Sequence, residues 1–318
     1  MTTKQLPIPS GYGARTTAHE VLEGRDLRDA FAIVTGGYAG VGLETTRALA
    51  AAGATVVVPA RTREKATAAL AGIARVEIEA LDLADPASVD ALADRVLSSG
   101  RPVHMLVNNA GIMATPFTKD TRGFESQLAT NHLGHFQLTL RLWPALVRAN
   151  GARVVALSSR GHVRGAVDFD DPHFDRRPYD KWVAYGQSKT ANALFAVALD
   201  ARGEARGVRA FSVHPGAVLT ELSRWMTQGE QSAAVEAASK VTAGFKNTEQ
   251  GAATSVWCAT SPLLDARGGV YCEDVDIAEA VPADFPEPRG VRPWAMDPAM
   301  AERLWRKSEE WTGLTFTA

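Results

Sequence analysis

The chain has 318 residues, 46% of them hydrophobic, and its 34 basic against 36 acidic side chains leave a net charge of -2. That balance offers no broad attraction for nucleic acid or an anionic membrane, so any anion has to be bound locally. The two cysteines, Cys258 and Cys272, have neither metal-type nor redox spacing, Met1–Gly24 holds no signal-like segment, and no apolar run approaches about 20 residues. These features imply a reduced, cytoplasmic protein that does not span a membrane.

A leader punctuated by Pro and Gly occupies 1–27. Strand and helix patterns then alternate with short connections, which predicts an α/β fold: one doubly wound, Rossmann-type domain over 28–275, its seven-stranded parallel sheet covered by helices on both faces. The strands are predicted at Ala30–Thr35, Thr55–Pro59, Val76–Ala80, Met105–Asn108, Arg153–Ser158, Arg209–His214 and Gly269–Cys272. Helices are predicted over Gly42–Ala52, Ser88–Ser98 after the capping pair Asp85-Pro86, Gly123–Leu133 with an extension to Ala149, Tyr185–Arg202, and much of Gln231–Ala259. Gly161–Lys181 breaks both periods and reads as a long loop over an active-site mouth, partly lining the substrate pocket. In the tail, 276–318, Asp297-Pro298 opens a last helix that packs through Met300, Leu304 and Trp311.

The first predicted strand runs directly into Thr35-Gly36-Gly37-Tyr38-Ala39-Gly40-Val41-Gly42 and then into a helix. Gly36 permits a tight turn, Gly40 lets backbone approach a pyrophosphate, and Gly42 lets the helix pack on the sheet while its N-terminus offers N–H groups to the anion. Further on, Tyr185 and Lys189 share one helix face at i, i+4, where an ammonium can lower the pKa of a phenol. At the end of the second strand stands Arg61, with Arg63 nearby and no carboxylate. A guanidinium there suits the 2′-phosphate of NADP(H), which is favoured over NAD(H).

The Gly-xxx-Gly-x-Gly spacing, followed in order by Asn108-Asn109-Ala110-Gly111, Asn131, Ser158-Ser159, Tyr185-xxx-Lys189 and His214-Pro215-Gly216, resembles the short-chain dehydrogenase/reductase family. Asn131-His132-Leu133-Gly134-His135-Phe136, His162 after Ser159, and Glu302-Arg303-Leu304-Trp305 make it most similar to the retinol dehydrogenase-like branch. The resemblance implies that Tyr185 is the general acid or base and that Ser159, rather than Ser158, polarises the substrate oxygen. Lys189 would tune Tyr185 and bind the nicotinamide ribose, and Asn131 would support a water that links the lysine to solvent. Gly36, Tyr38, Gly40, Val41, Gly42, Asp82, Leu83, Asn109, Ala110, Gly111, Tyr185, Lys189, Pro215, Gly216, Val218 and Thr220 are implied as cofactor contacts. The implied substrate is a small or medium apolar ketone, aldehyde or secondary alcohol, and the implied assembly a homodimer or tetramer.

His132 and His135 have a spacing that could hold a metal, but no carboxylate or cysteine completes a set, so no metal is expected. His162 and His173 read as solvated loop residues, and Trp182 and Trp225 lie where pocket walls are expected.

Overall fold

Short apolar runs bounded by turn residues become strands buried on both faces once helices cover them. The computed structural model describes residues 3–239 and 244–317. In chain order its main elements are β1 (Phe31–Val34), α1 (Gly40–Ala51), β2 (Thr55–Ala60), α2 (Arg63–Leu70), β3 (Val76–Ala80), α3 (Pro86–Ser98) and β4 (Met105–Asn108). There follow α4 (Gly134–Arg141), α5 (Trp143–Arg148), β5 (Ala152–Leu157), α6 (Lys181–Gly203), β6 (Val208–His214), α7 (Gln228–Ser239), α8 (Thr248–Thr260), β7 (Val270–Glu273), β8 (Asp276–Ile277) and α9 (Pro298–Thr312).

All seven predicted strands are present, and an eighth extends the sheet. The order is β3-β2-β1-β4-β5-β6-β7-β8, parallel through β7 and antiparallel at β8. The two-residue β8 carries no period of its own and exists through its pairing with β7, which is why seven strands were expected. Chain order reverses between β1 and β4, so the connections leaving their C-terminal ends diverge and open a crevice. One apolar cluster, with Leu106, Phe136, Leu199 and Trp305, fills one face of the sheet, and Leu49, Val58, Phe211 and Trp257 belong to the other.

Two predicted helices divide. Over 123–149, the Glu125 carboxylate caps a short turn at Ser126–Leu128, a π-helical turn spans Ala129–Leu133, and α4 and α5 follow. The predicted Gln231–Ala259 helix is two, α7 and α8; the strand Phe245–Lys246 lies between them, Asn247 and Gln250 form a capping box that restarts the helix, and 240–243 lie outside the described residues. Helix α2, which buries only Ala66 and Leu70, had too narrow an apolar stripe to be predicted.

The termini pack onto the domain. Gln5 acts as a piece of sheet edge, accepting from the Tyr271 N–H at 2.9 Å and donating to the Tyr271 carbonyl at 2.8 Å. A Thr17–Glu20 capping box starts the turn Ala18–Val21, which buries Ala18 and Val21. Asp297 caps α9 as predicted, and Ala301, Leu304 and Trp305 are buried, with Met300 and Trp311 packed beside them. Among the described residues no helix is long and apolar enough to cross a membrane.

Candidate active site

Beyond the C-terminal ends of the strands lies a cleft of about 1750 Å³. All the predicted site residues line it except Asn131, which is buried behind the wall. Gly36 and Gly40 have φ of +63° and +52°, in the left-handed region that favours glycine. A Cβ on Gly40 would stand 2.9 Å from Thr220, and one on Gly42 would overlap both the Gly36 carbonyl oxygen and Asn109 Nδ2. Helix α1 begins within this turn with no side-chain cap, so its first N–H groups face the cleft without an intrahelical acceptor.

The tip of β1 is joined to β4 by a network that the sequence did not reveal. His135 Nδ1 lies 3.0 Å from the Asn131 carbonyl and Nε2 lies 2.9 Å from Thr35 Oγ1. A carbonyl only accepts, so Nδ1 carries the proton and Nε2 accepts from Thr35. Thr35 Oγ1 then accepts from the backbone N–H groups of Asn109 and Ala110, at 2.9 and 3.0 Å. Burial pushes His135 down to about 4, which holds the ring neutral for this task. His132 turns elsewhere, to Ser308 Oγ at 2.7 Å. The pair therefore does not converge, and among the described residues no group of acidic, histidine or cysteine side chains could hold a metal ion.

Tyr185 and Lys189 project from α6, one turn apart. Burial pushes the Tyr185 phenol up to about 12, opposed by the neighbouring Ser159 hydroxyl. The net shift is therefore upward, against the lowering expected from Lys189, whose ammonium stands 5.7 Å from the phenol ring centroid and donates to the Leu157 carbonyl at 2.9 Å. Burial also lowers Lys189 itself, to about 8. Asn131 ties this helix to the segment after β4, donating to Ser188 Oγ and the Ile112 carbonyl at 2.9 Å each and accepting from the Ile112 N–H at 2.8 Å. Ser158 donates to the Lys189 carbonyl at 2.7 Å, whereas Ser159 Oγ accepts from the Gly161 N–H at 3.1 Å beside Tyr185.

Around the rim, Arg61 is exposed and makes no hydrogen bond or ion pair among the described residues, while Arg63 donates to the Ile78 carbonyl. Asp82 accepts from the Ala84 N–H, and Gly216, at φ +92°, leaves room for the Lys246 side chain.

The expectations about the walls hold in part. Within the predicted loop only Gly161, Val163 and Arg164 line the cleft, because the rest is drawn to another face: Lys119 pairs with Asp175, Tyr179 joins Gln127, and Gln187 holds both Asp168 and Pro172. His162 and His173 are buried rather than solvated; His162 bonds the Ser159 carbonyl and the Arg292 N–H, and His173 accepts from the Glu125 N–H. Trp182 lines the cleft, but Trp225 does not. The tail contributes Glu287–Arg289 to the walls, and the wall missed in the sequence comes from the leader at Gly13–Thr16.

The sequence profile described as "short chain dehydrogenase" matches residues 30–231. A probable oxidoreductase from Streptomyces lividans is 47% identical over 290 residues, which cover 88% of this chain and 96% of that protein. Retinol dehydrogenase 12 of Mus musculus is 38% identical over 296 residues, 89% of this chain and 86% of its own. A solved structure from Mycobacterium Paratuberculosis superposes with a TM-score of 0.75 at 32% identity, covering 96% of this chain and all of that one. The strand-turn-helix cradle, the neighbouring Ser159, Tyr185 and Lys189, and these matches make the chain a member of the short-chain dehydrogenase/reductase family, oxidoreductases that bind NAD(P).

Proposed function

We propose that the protein is an NADP(H)-dependent oxidoreductase that interconverts a ketone or aldehyde with the corresponding alcohol. The observation that carries this reading is the convergence of Ser159, Tyr185 and Lys189 on one cleft with a glycine cradle at its other end. The residues fit the cofactor: the cradle is filled by any Cβ at Gly40, the first N–H groups of α1 open onto it, and Arg61 offers an unpaired guanidinium at the adenosine end. When bound, the nicotinamide supplies or takes the hydride.

The chain's own residues supply the proton and the polarisation. Ser159 donates to the substrate oxygen and stabilises the charge that develops there. Tyr185 gives its proton to that oxygen during reduction and takes it back during oxidation. Burial holds the Tyr185 phenol protonated at neutral pH, the form that a general acid needs. The charged Lys189 binds the ribose hydroxyls and favours the phenolate left behind. Trp182, Leu219, Leu222 and Met226 along the same cleft support an apolar substrate body.

The cofactor assignment has its own test. Arg61→Ala is expected to lower kcat/KM for NADPH by about 10- to 100-fold, the range for a charge-assisted phosphate contact, while changing the value for NADH by no more than about threefold. Steady-state rates with the two cofactors check this. A wild-type preference for NADH would overturn the assignment.

A further inference from the structure

The cleft has a wall outside the residues matched by the family. That match begins at residue 30, yet Gly13, Ala14, Arg15 and Thr16 line the same cleft as the cradle. Arg15 is held there twice. Its Nη1 donates to the Phe245 carbonyl at 2.8 Å, and its own carbonyl accepts from Gln250 Nε2 at 3.2 Å.

Both partners belong to a segment that abuts the cradle. Phe245–Lys246 pairs in parallel with Ala217–Val218, and a Cβ on Gly251, next to Gln250, would lie 3.0 Å from Val41 and 2.7 Å from Val218. Just beyond Arg15, the capped turn Ala18–Val21 buries Ala18 and Val21 in the main core, so the leader has a fixed base. Arg15 is exposed, has no acidic partner among the described residues, and commits one of its five N–H donors to Phe245.

Of the other cations of the cleft, Arg164 lies over the Trp182 ring, Arg224 donates to the Glu221 carbonyl and Arg289 pairs with Glu279 and Glu287. Arg61 stands after β2 at the adenosine end, Lys189 is held inward by Leu157, and Lys246 pairs with Asp274 at 2.6 Å. The cradle itself offers only N–H groups and the partial charge of a helix end. Together with the assignment of a bound dinucleotide, on which this rests, we infer that Arg15 is a leader-borne cofactor residue whose guanidinium bonds the pyrophosphate across the cleft from Gly40 and Val41.

The test is a binding titration, independent of turnover. NADPH and NADH are titrated into wild type, Arg15→Gln, Gln250→Ala and Arg61→Ala and followed by quenching of protein fluorescence. Arg15→Gln keeps a donor for Phe245 and loses the charge; it is expected to weaken both dinucleotides by the same factor of about ten and to flatten the salt dependence. Gln250→Ala removes the anchor on the Arg15 carbonyl, and with it the acceptor for the Asn247 N–H in the capping box, but spares the guanidinium; it is expected to stay within about twofold of wild type, while Arg61→Ala weakens NADPH alone. Unchanged affinity in Arg15→Gln would overturn the inference. So would a loss confined to NADPH, which puts the guanidinium on a 2′-phosphate, or an equal loss in Gln250→Ala, which makes docking of the leader the cause. Failure of wild type to bind either dinucleotide would instead remove the cofactor assignment beneath it.

Discussion

Tyr185→Phe is expected to lower kcat for carbonyl reduction by about 1,000-fold, within the range contributed by a positioned general acid and equivalent to about 4 kcal/mol of barrier. The substitution removes one oxygen and little else. Tyr185 is buried, its ring lies within the wall of the cleft, and its hydroxyl meets Ser159 rather than a backbone group that would be left unsatisfied. Phenylalanine fills the same space, so the melting temperature and the affinity for NADPH should match wild type. Kinetics, thermal melting and a fluorescence titration on one preparation separate the chemical role from a structural one. Wild-type turnover in Tyr185→Phe would remove this residue from the mechanism.

Gly42→Ala is expected to have the second-largest effect, on binding and folding together. The added Cβ would overlap Asn109 Nδ2, which can move, and the Gly36 carbonyl oxygen, which belongs to the turn itself and cannot move without opening the cradle. Asn109 Nδ2 also donates to the Thr35 carbonyl at 2.8 Å, so displacing it loosens the joint between β1 and β4. Overpacking of this kind costs about 1–3 kcal/mol of stability. A displaced cradle loses charge-assisted backbone contacts to the phosphates and should weaken NADPH binding by about 10- to 100-fold. Denaturant unfolding and NADPH titration measure the two losses, and wild-type values in both would show that the turn does not hold the phosphates.

The parts of this protein legible in its sequence are those decided locally. A strand followed by a glycine turn and a helix is written within about a dozen residues, and the i, i+4 placement of Tyr185 and Lys189 follows from helix geometry alone. Contacts between distant segments were not legible. His135 looked like half of a metal site because its partner Thr35 lies just beyond β1, about a hundred residues away in sequence, and only the packing of α4 brings the ring to it. The loop after Ser159 was expected over the cleft, but Asp175 is drawn to Lys119 and Tyr179 to Gln127, on a different face. The upward shift of Tyr185 was likewise hidden, because burial depends on everything packed around α6 and exceeds what a lysine one turn away suggests. Arg15 gave no signal at all, since a leader rich in turns shows neither where it docks nor what it faces.

The central claim, that this cleft reduces carbonyls with NADPH, is tested most directly by mixing wild-type protein and NADPH with a panel of apolar ketones and aldehydes, then following cofactor absorbance and the alcohol formed. NADPH consumption with equimolar alcohol is expected for at least one member of the panel. Tight binding of NADPH without turnover of any carbonyl, or of any alcohol with NADP in the reverse direction, would contradict it and point to a sensor that keeps the fold without the chemistry.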